Sequence, residues 1–328
     1  MTNCNWKATR NAITLKWLTV LTVAIGKTLA TVAKLSNILH MHTRLAFLVL
    51  LMLSIQTSLL AQTYDGPSRI STVRSKDGTK IALECRGTGP TLLIVHGGAG
   101  DRKRWIPLLP LFAPHFKVCA MDRRGHGASE SGKTYSLQKE SEDIVAAVDA
   151  QQNPVFVLGH SIGGVFALEA SFLTNKISKL VLYEPPLQDL DHTAVADRME
   201  PLIKSGNREE AMTIFLRDIV LMSPKEIEIQ KAQTSWPARV ATIDIQIREI
   251  RALSKYRFEP DRARRLKTST LLLTGSLTSS PQLKQAVKSL MDTLPHRTLF
   301  VFEGEGHTAM DYIPKQFAEV VTKFLQTN

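Results

Sequence analysis

The segment VFVLGHSIGGVFALEA, Val155 to Ala170, constrains this chain more than any other. A continuous apolar run enters Gly159-His160-Ser161-Ile162-Gly163, and a helical pattern follows. G-x-S-x-G placed between a strand and a helix is a sharp turn that lifts a serine out of a sheet. Gly159 and Gly163 fit because a Cβ at either position would collide with the neighbouring strand and helix. The helix that follows aims free N–H groups and the positive end of its dipole at the serine oxygen. Its bland alternative is a glycine-rich connection with an idle serine.

A serine hydroxyl is a weak nucleophile without a base. PheGluGlyGluGlyHisThrAlaMet sets His307 between the last strand pattern and the last helix pattern. LeuLeuIleValHisGlyGlyAlaGly, Leu92 to Gly100, ends a strand in glycines whose backbone N–H groups can face a site without obstruction. The N–H of Gly98 (or Ala99), with that of Ile162, is the candidate oxyanion hole. His96 reads as a structural hydrogen-bonder rather than a base.

The rest of the chain supplies a matching framework. Strand patterns fall at Ile70–Ser75, Lys80–Arg86, Leu92–His96, Val118–Met121, Val155–Leu158, Leu180–Tyr183, Thr270–Thr274 and Thr298–Phe302. Several are unbroken apolar runs, as in parallel strands covered on both faces. Helix patterns lie near 103–113, 136–150, 163–174, 281–293 and 314–326. This alternation predicts an α/β fold with helices on both faces of a mostly parallel eight-stranded sheet. Residues 187–268 break the rhythm with amphipathic stretches and no strand, too long for a plain loop. They are expected to form a helical cap between strands six and seven, so that the core is 62–186 with 269–328. The apolar cap residues Ile214, Phe215, Ile219, Met222 and Trp236 suggest a partly hydrophobic pocket, or simply a cap core.

These features together resemble the α/β-hydrolase superfamily with a helical cap. The matching residues are HisGlyGly at 96–98, Trp105, MetAspArgArgGlyHisGlyAlaSer at 121–129, GlyHisSerIleGlyGly at 159–164, ValLeuTyrGluProPro at 181–186 and GlyGluGlyHis at 304–307. The resemblance implies Ser161 as nucleophile, His307 as base, and a mostly architectural role for Asp122, Arg123 and His126. It makes enzymes with an aspartate nucleophile poor models, because Ser161 holds that position. The family's third residue, an acid that orients the histidine, usually stands three positions after a Gly beyond the seventh strand. Here Gly275 is followed at that position by Thr278, and no carboxylate lies between Asp261 and Asp292.

Three readings of the missing acid stay open. Glu184, at the end of the sixth strand, can supply it; Thr278 or Ser276 can orient the histidine of a Ser–His dyad; or the site is degenerate and the protein only binds. Glu303 and Glu305 are expected to point elsewhere. The expected activity is a serine hydrolase acting on an ester-type acyl substrate, with no cofactor and no metal. A peptidase, a thioesterase or a carbon–carbon bond hydrolase would use the same machinery. A resemblance of HisGlyGlyAlaGly to the HGGPG of proline iminopeptidases lacks the proline.

Composition matters at two points. The net charge of +11 invites a nucleic-acid reading, but residues 1–61 carry six Lys/Arg and no acid, which leaves +5 for the remainder. The basic run at 262–267 has no accompanying aromatics, so it reads as a solvated helix face and no nucleic-acid partner is expected. MHTRLAFLVLLMLSIQTSLLAQ, from Met41, has the order of a secretory signal ending at Ala61. Its apolar run, Leu45 to Leu53, is shorter than the ~20 residues of a membrane span. The expectation is a start at Met41, an upstream extension over 1–40, and a secreted or periplasmic protein. An uncleaved membrane anchor built with the stretch Ala12–Ala33 is the alternative. Cys4 falls in this leader; Cys85 and Cys119 are read as buried free thiols, with a disulfide open to them in an export compartment.

Overall fold

The computed structural model describes residues 69–151, 154–187 and 191–327. The signal, the start at Met41, the 1–40 extension and Cys4 lie outside the described residues. Eight strands form one sheet: β1 (Arg69–Arg74), β2 (Lys80–Arg86), β3 (Thr91–Val95), β4 (Lys117–Met121), β5 (Val155–His160), β6 (Ile177–Tyr183), β7 (Ser269–Gly275) and β8 (Arg297–Phe302). Their spatial order is β1-β2-β4-β3-β5-β6-β7-β8. The β1–β2 and β2–β4 pairs are antiparallel and the other five pairs parallel. Every residue of β3 and β5 is buried, which explains their unbroken apolar runs.

The crossovers are helical. A 3-10 helix (Arg102–Leu108) runs into α1 (Leu109–Phe112), where one continuous helix was expected. Pro107 and Pro110 explain the difference, since each removes a backbone donor from a would-be ladder. Next come α2 (Leu137–Asp149), capped by Ser136, and α3 (Ile162–Ser171). Between β6 and β7 stand α4 (Thr193–Lys204), α5 (Arg208–Asp218), α6 (Pro224–Lys231), α7 (Trp236–Val240), α8 (Ile243–Leu253) and α9 (Pro260–Ala263). Three elements close the chain: α10 (Pro281–Thr293), α11 (Ala309–Tyr312) and α12 (Pro314–Gln326).

Two apolar cores cover the two sheet faces. One gathers Leu93, Val157, Val165, Phe166 and Leu180; the other gathers Ile94, Trp105, Leu158, Tyr183 and Phe317. A third belongs to the inserted helices and includes Ala196, Met199, Met212, Phe215, Trp236 and Ile250. The basic run at 262–267 does not form a long helix face: only Arg262 and Ala263 are helical, and Ala263 and Leu266 are buried.

The free-thiol reading of the cysteines is corrected. Cys85 and Cys119 are joined by a disulfide. They are direct partners in the antiparallel β2–β4 register, so their side chains share one face of the sheet. Their separation of 34 positions hides this neighbourhood from any sequence pattern.

Candidate active site

Ser161 occupies a backbone conformation that L-residues rarely adopt, with φ 53° and ψ −129°. The turn is held by Ser161 N–H donating to Tyr183 O at 2.8 Å. Its glycines are sterically required. A Cβ on Gly159 would stand 2.6 Å from Gly163 O and from Gly164 Cα; one on Gly163 would stand 2.4 Å from His96 O. The chain around Ser161 therefore touches the end of β3 directly, which brings the HisGlyGly segment beside the serine.

His307 lies on the loop after β8. Its Nδ1 hydrogen-bonds Glu184 Oε2 at 2.6 Å. Glu184 sits at the end of β6, fully buried, with φ 46°. Its other oxygen, Oε1, accepts from Thr278 Oγ1 at 2.5 Å, Thr274 Oγ1 at 2.6 Å and Gly275 N at 2.9 Å. Burial works against the charge on this carboxylate. The hydrogen bonds, first those with His307 and then those from the two threonines, outweigh it and hold the Glu184 carboxyl below its ordinary range. Thr278 thus contacts the acid and not the histidine. Ser276 Oγ accepts from Gly304 N at 2.9 Å and also makes no contact with His307. The dyad in which either residue orients His307 is therefore corrected. Glu303 and Glu305 make no hydrogen bond to His307 either; Glu303 is exposed.

The His307 loop is fixed from beneath by residues that the sequence reading passed over. Tyr183 Oη donates to Gly306 O and accepts from Ala309 N at 3.0 Å. His160 Nε2 lies 2.9 Å from His307 O, and the two rings are 4.7 Å apart. Burial drives the His160 imidazole far below its usual pKa, so it donates here as a neutral ring. The signal for both residues was positional: each ends a strand next to a residue already singled out. Gly275 completes the fit, because a Cβ there would stand 2.3 Å from Glu305 O.

His96 is a structural hydrogen-bonder. Its Nδ1 donates to Gly97 O at 2.8 Å and its Nε2 accepts from Arg123 N at 3.1 Å. Asp122 accepts from the Arg102 guanidinium at 2.5 Å, from Arg102 N and from Ala128 N, so it organises its own loop. Arg123 reaches Gly97 O at 3.3 Å and is paired with Glu140 at 3.0 Å and with Glu249 of α8 at 2.9 Å. His126 Nε2 is 2.8 Å from the same Glu249 carboxylate. The loop after β3 is thus tied to the inserted helices through one buried guanidinium.

Ser161, His307, Gly98 and Ile162 line one cavity of about 150 Å³. Phe215, Leu216, Ile219, Val220, Leu221 and Met222 give it an apolar wall. Ile214 and Trp236 do not line it; they pack in the core of the inserted helices. No hydrogen bond joins Ser161 to His307. Among the described residues, no cluster of three or more His, Cys, Asp or Glu side chains is arranged to hold a metal ion.

Residues 92–320, well over half of the chain, match the model of the Alpha/beta hydrolase family. The chain belongs to the alpha/beta hydrolase family. The hydrolase is 28% identical over 148 residues to the uncharacterized hydrolase YraK of Bacillus subtilis (strain 168), a match covering 43% of this chain and 55% of that one. It is 24% identical over 246 residues to the putative carbamate hydrolase RutD of Pseudomonas syringae pv. syringae (strain B728a), covering 73% and 94%. Among solved structures, an alpha/beta hydrolase from Sphaerobacter thermophilus DSM 20745 superposes with a TM-score of 0.70 at 30% identity, covering 78% of this chain and all of the other.

Proposed function

We propose that the protein is a serine hydrolase that cleaves an ester-type bond in a small acyl substrate. Ser161 Oγ attacks the carbonyl carbon while His307 takes its proton. The tetrahedral oxyanion is held by the N–H groups of Gly98 and Ile162. His307 then gives the proton to the leaving oxygen, the acyl–Ser161 ester forms, and water attacks it in the same way to release the acid. Glu184 fixes the imidazole with Nδ1 protonated, leaves Nε2 free as base, and stabilises the imidazolium.

The observation that carries this reading is the 2.6 Å bond between His307 Nδ1 and a fully buried Glu184, opening on the cavity that Ser161 lines. The cavity is of the size that accepts one small ring or short chain, which favours a compact acyl group over a long lipid tail. A fluorophosphonate probe tests it. Labelling at Ser161 that disappears in Ser161→Ala is expected; folded wild-type protein that stays unlabelled would refute the enzyme and leave a binding protein.

We also propose export to an oxidising compartment, secreted or periplasmic. Support comes from the signal-like order of residues 41–61 and from the Cys85–Cys119 disulfide, a bond rare in reducing cytosol. A mature chain beginning shortly after Ala61 is the expected result of amino-terminal sequencing; a retained leader points to the membrane anchor instead.

A further inference from the structure

The wall of the Ser161 cavity carries an uneven charge. Each of two carboxylates that line it away from the Glu184–His307 pair meets at least one guanidinium. Asp218 is bound by Arg198 at 2.5 Å and Arg217 at 2.6 Å, and Glu249 by Arg123 at 2.9 Å, a guanidinium it shares with Glu140, and by the neutral ring of His126 at 2.8 Å. Two guanidiniums also line the cavity, Arg104 and Arg239, and they have one carboxylate between them. Asp311 binds Arg104 at 2.5 Å. Arg239, on α7, meets only neutral acceptors: its Nε donates to Ala99 O at 3.2 Å and its Nη1 to Gln230 Oε1. Among the described residues, its Nη2 has no hydrogen-bond partner. Burial, reinforced by the nearby Arg104, pulls the Arg239 pKa down to about 10; the more distant charge of Asp311 and the two neutral acceptors offset this only in part. A second unmatched donor faces the same cavity: Gln246 is 1% exposed and its Nε2 has no partner, while its Oε1 lies over Gly98.

We propose that the substrate carries a carboxylate besides its scissile ester, and that Arg239, with Arg104 beside it, binds that carboxylate. This inference rests on the serine-hydrolase reading above. Arg104, Arg239 and Asp311 sum to one positive charge, which a monoanionic carboxylate neutralises and a dianionic phosphate would over-fill. The free Nη2 edge of a guanidinium suits a planar oxyanion. Arg239 also holds the Ala99 carbonyl, in a buried residue with φ 49°, so it doubles as a support for the loop that offers Gly98.

Selectivity separates the two roles, because a loss of loop support slows charged and neutral esters alike. Two matched pairs are compared by kcat/KM: 4-nitrophenyl hemiglutarate against 4-nitrophenyl pentanoate, and 4-acetoxybenzoate against phenyl acetate. The wild type is expected to prefer the charged ester in one pair by about tenfold or more, and Arg239→Gln to bring that ratio to within about threefold. Arg104→Gln, which frees Asp311 to neutralise Arg239, is expected to lower the ratio similarly and serves if Arg239→Gln does not fold. A wild type that treats charged and neutral esters alike in both pairs, or a preference unchanged in both variants, overturns the carboxylate site while leaving the hydrolase intact. Absence of both hydrolysis and fluorophosphonate labelling overturns the underlying reading, and the carboxylate site with it.

Discussion

Glu184 shows how a charge can be supplied from an unexpected position without changing what it touches. The position three residues after Gly275 holds Thr278, and Thr278 spends its hydroxyl on the displaced carboxylate at 2.5 Å. Glu184→Gln keeps the shape but removes the anion that favours the protonated imidazole, and is expected to lower kcat by roughly 10²–10⁴ with little change in KM. Thr278→Val removes one of four hydrogen bonds to that carboxylate and is expected to cost severalfold, since one such bond is worth about 1 kcal/mol. Steady-state kinetics on any accepted ester ranks the two; equal losses would place Thr278 in the machinery itself. The strained Ser161 offers a second test. Ser161→Gly abolishes the nucleophile but relieves a positive φ worth about 1 kcal/mol, so its Tm is expected to rise by a few degrees. A lower Tm, read by differential scanning calorimetry, would mean that the serine side chain stabilises the turn.

At the scale of elements, the sheet was more legible than the insertion. β2, α10 and α12 begin and end where their patterns place them, because strand alternation, Pro at a helix start and caps such as Ser280 are local signals. Glu184 was readable because Pro185 and Pro186 mark where β6 stops. The pairing of α8 with the core was not, since nothing near Glu249 or Gln246 announces partners more than a hundred residues away. That junction has a pH signature. Glu140 and Glu249 share Arg123; burial and the neighbouring Glu249 push the Glu140 carboxyl up, whereas Arg123 and His126 hold Glu249 down. A carboxyl raised on folding binds its proton more tightly in the native state, so stability declines as pH rises past the ordinary carboxyl value of about 4.5. Glu140→Gln is expected to flatten the decline in Tm between about pH 5 and 7. Glu249→Ala is expected to cost about 3 kcal/mol by denaturant titration, because it leaves Arg123 under-paired in the interior.

For the whole molecule, the disulfide is the feature that only the three-dimensional arrangement discloses. β2 pairs with β4 and not with its sequence neighbour β3, and that permutation sets Cys85 opposite Cys119. Closing a loop of this length is worth about 2–4 kcal/mol through the unfolded chain. Replacing both cysteines by alanine, or adding reductant, is therefore expected to lower Tm by several degrees, with Ser161 labelling retained below the transition. Identical Tm values with and without reductant would mean that the bond is not formed in solution.

With Glu184 proposed as the acid, just past the end of β6, the loop after β7 has no such duty to carry. Ser280 at its far end, with Gln282 and Leu283 in the first turn of α10, lines the cavity instead. For directed evolution this separates two tasks that are usually entangled. A library randomised over 280–283 can explore new acyl shapes while Thr278 and the buried carboxylate stay fixed, so a larger share of its members should retain turnover than in a relative whose acid sits among the varied positions.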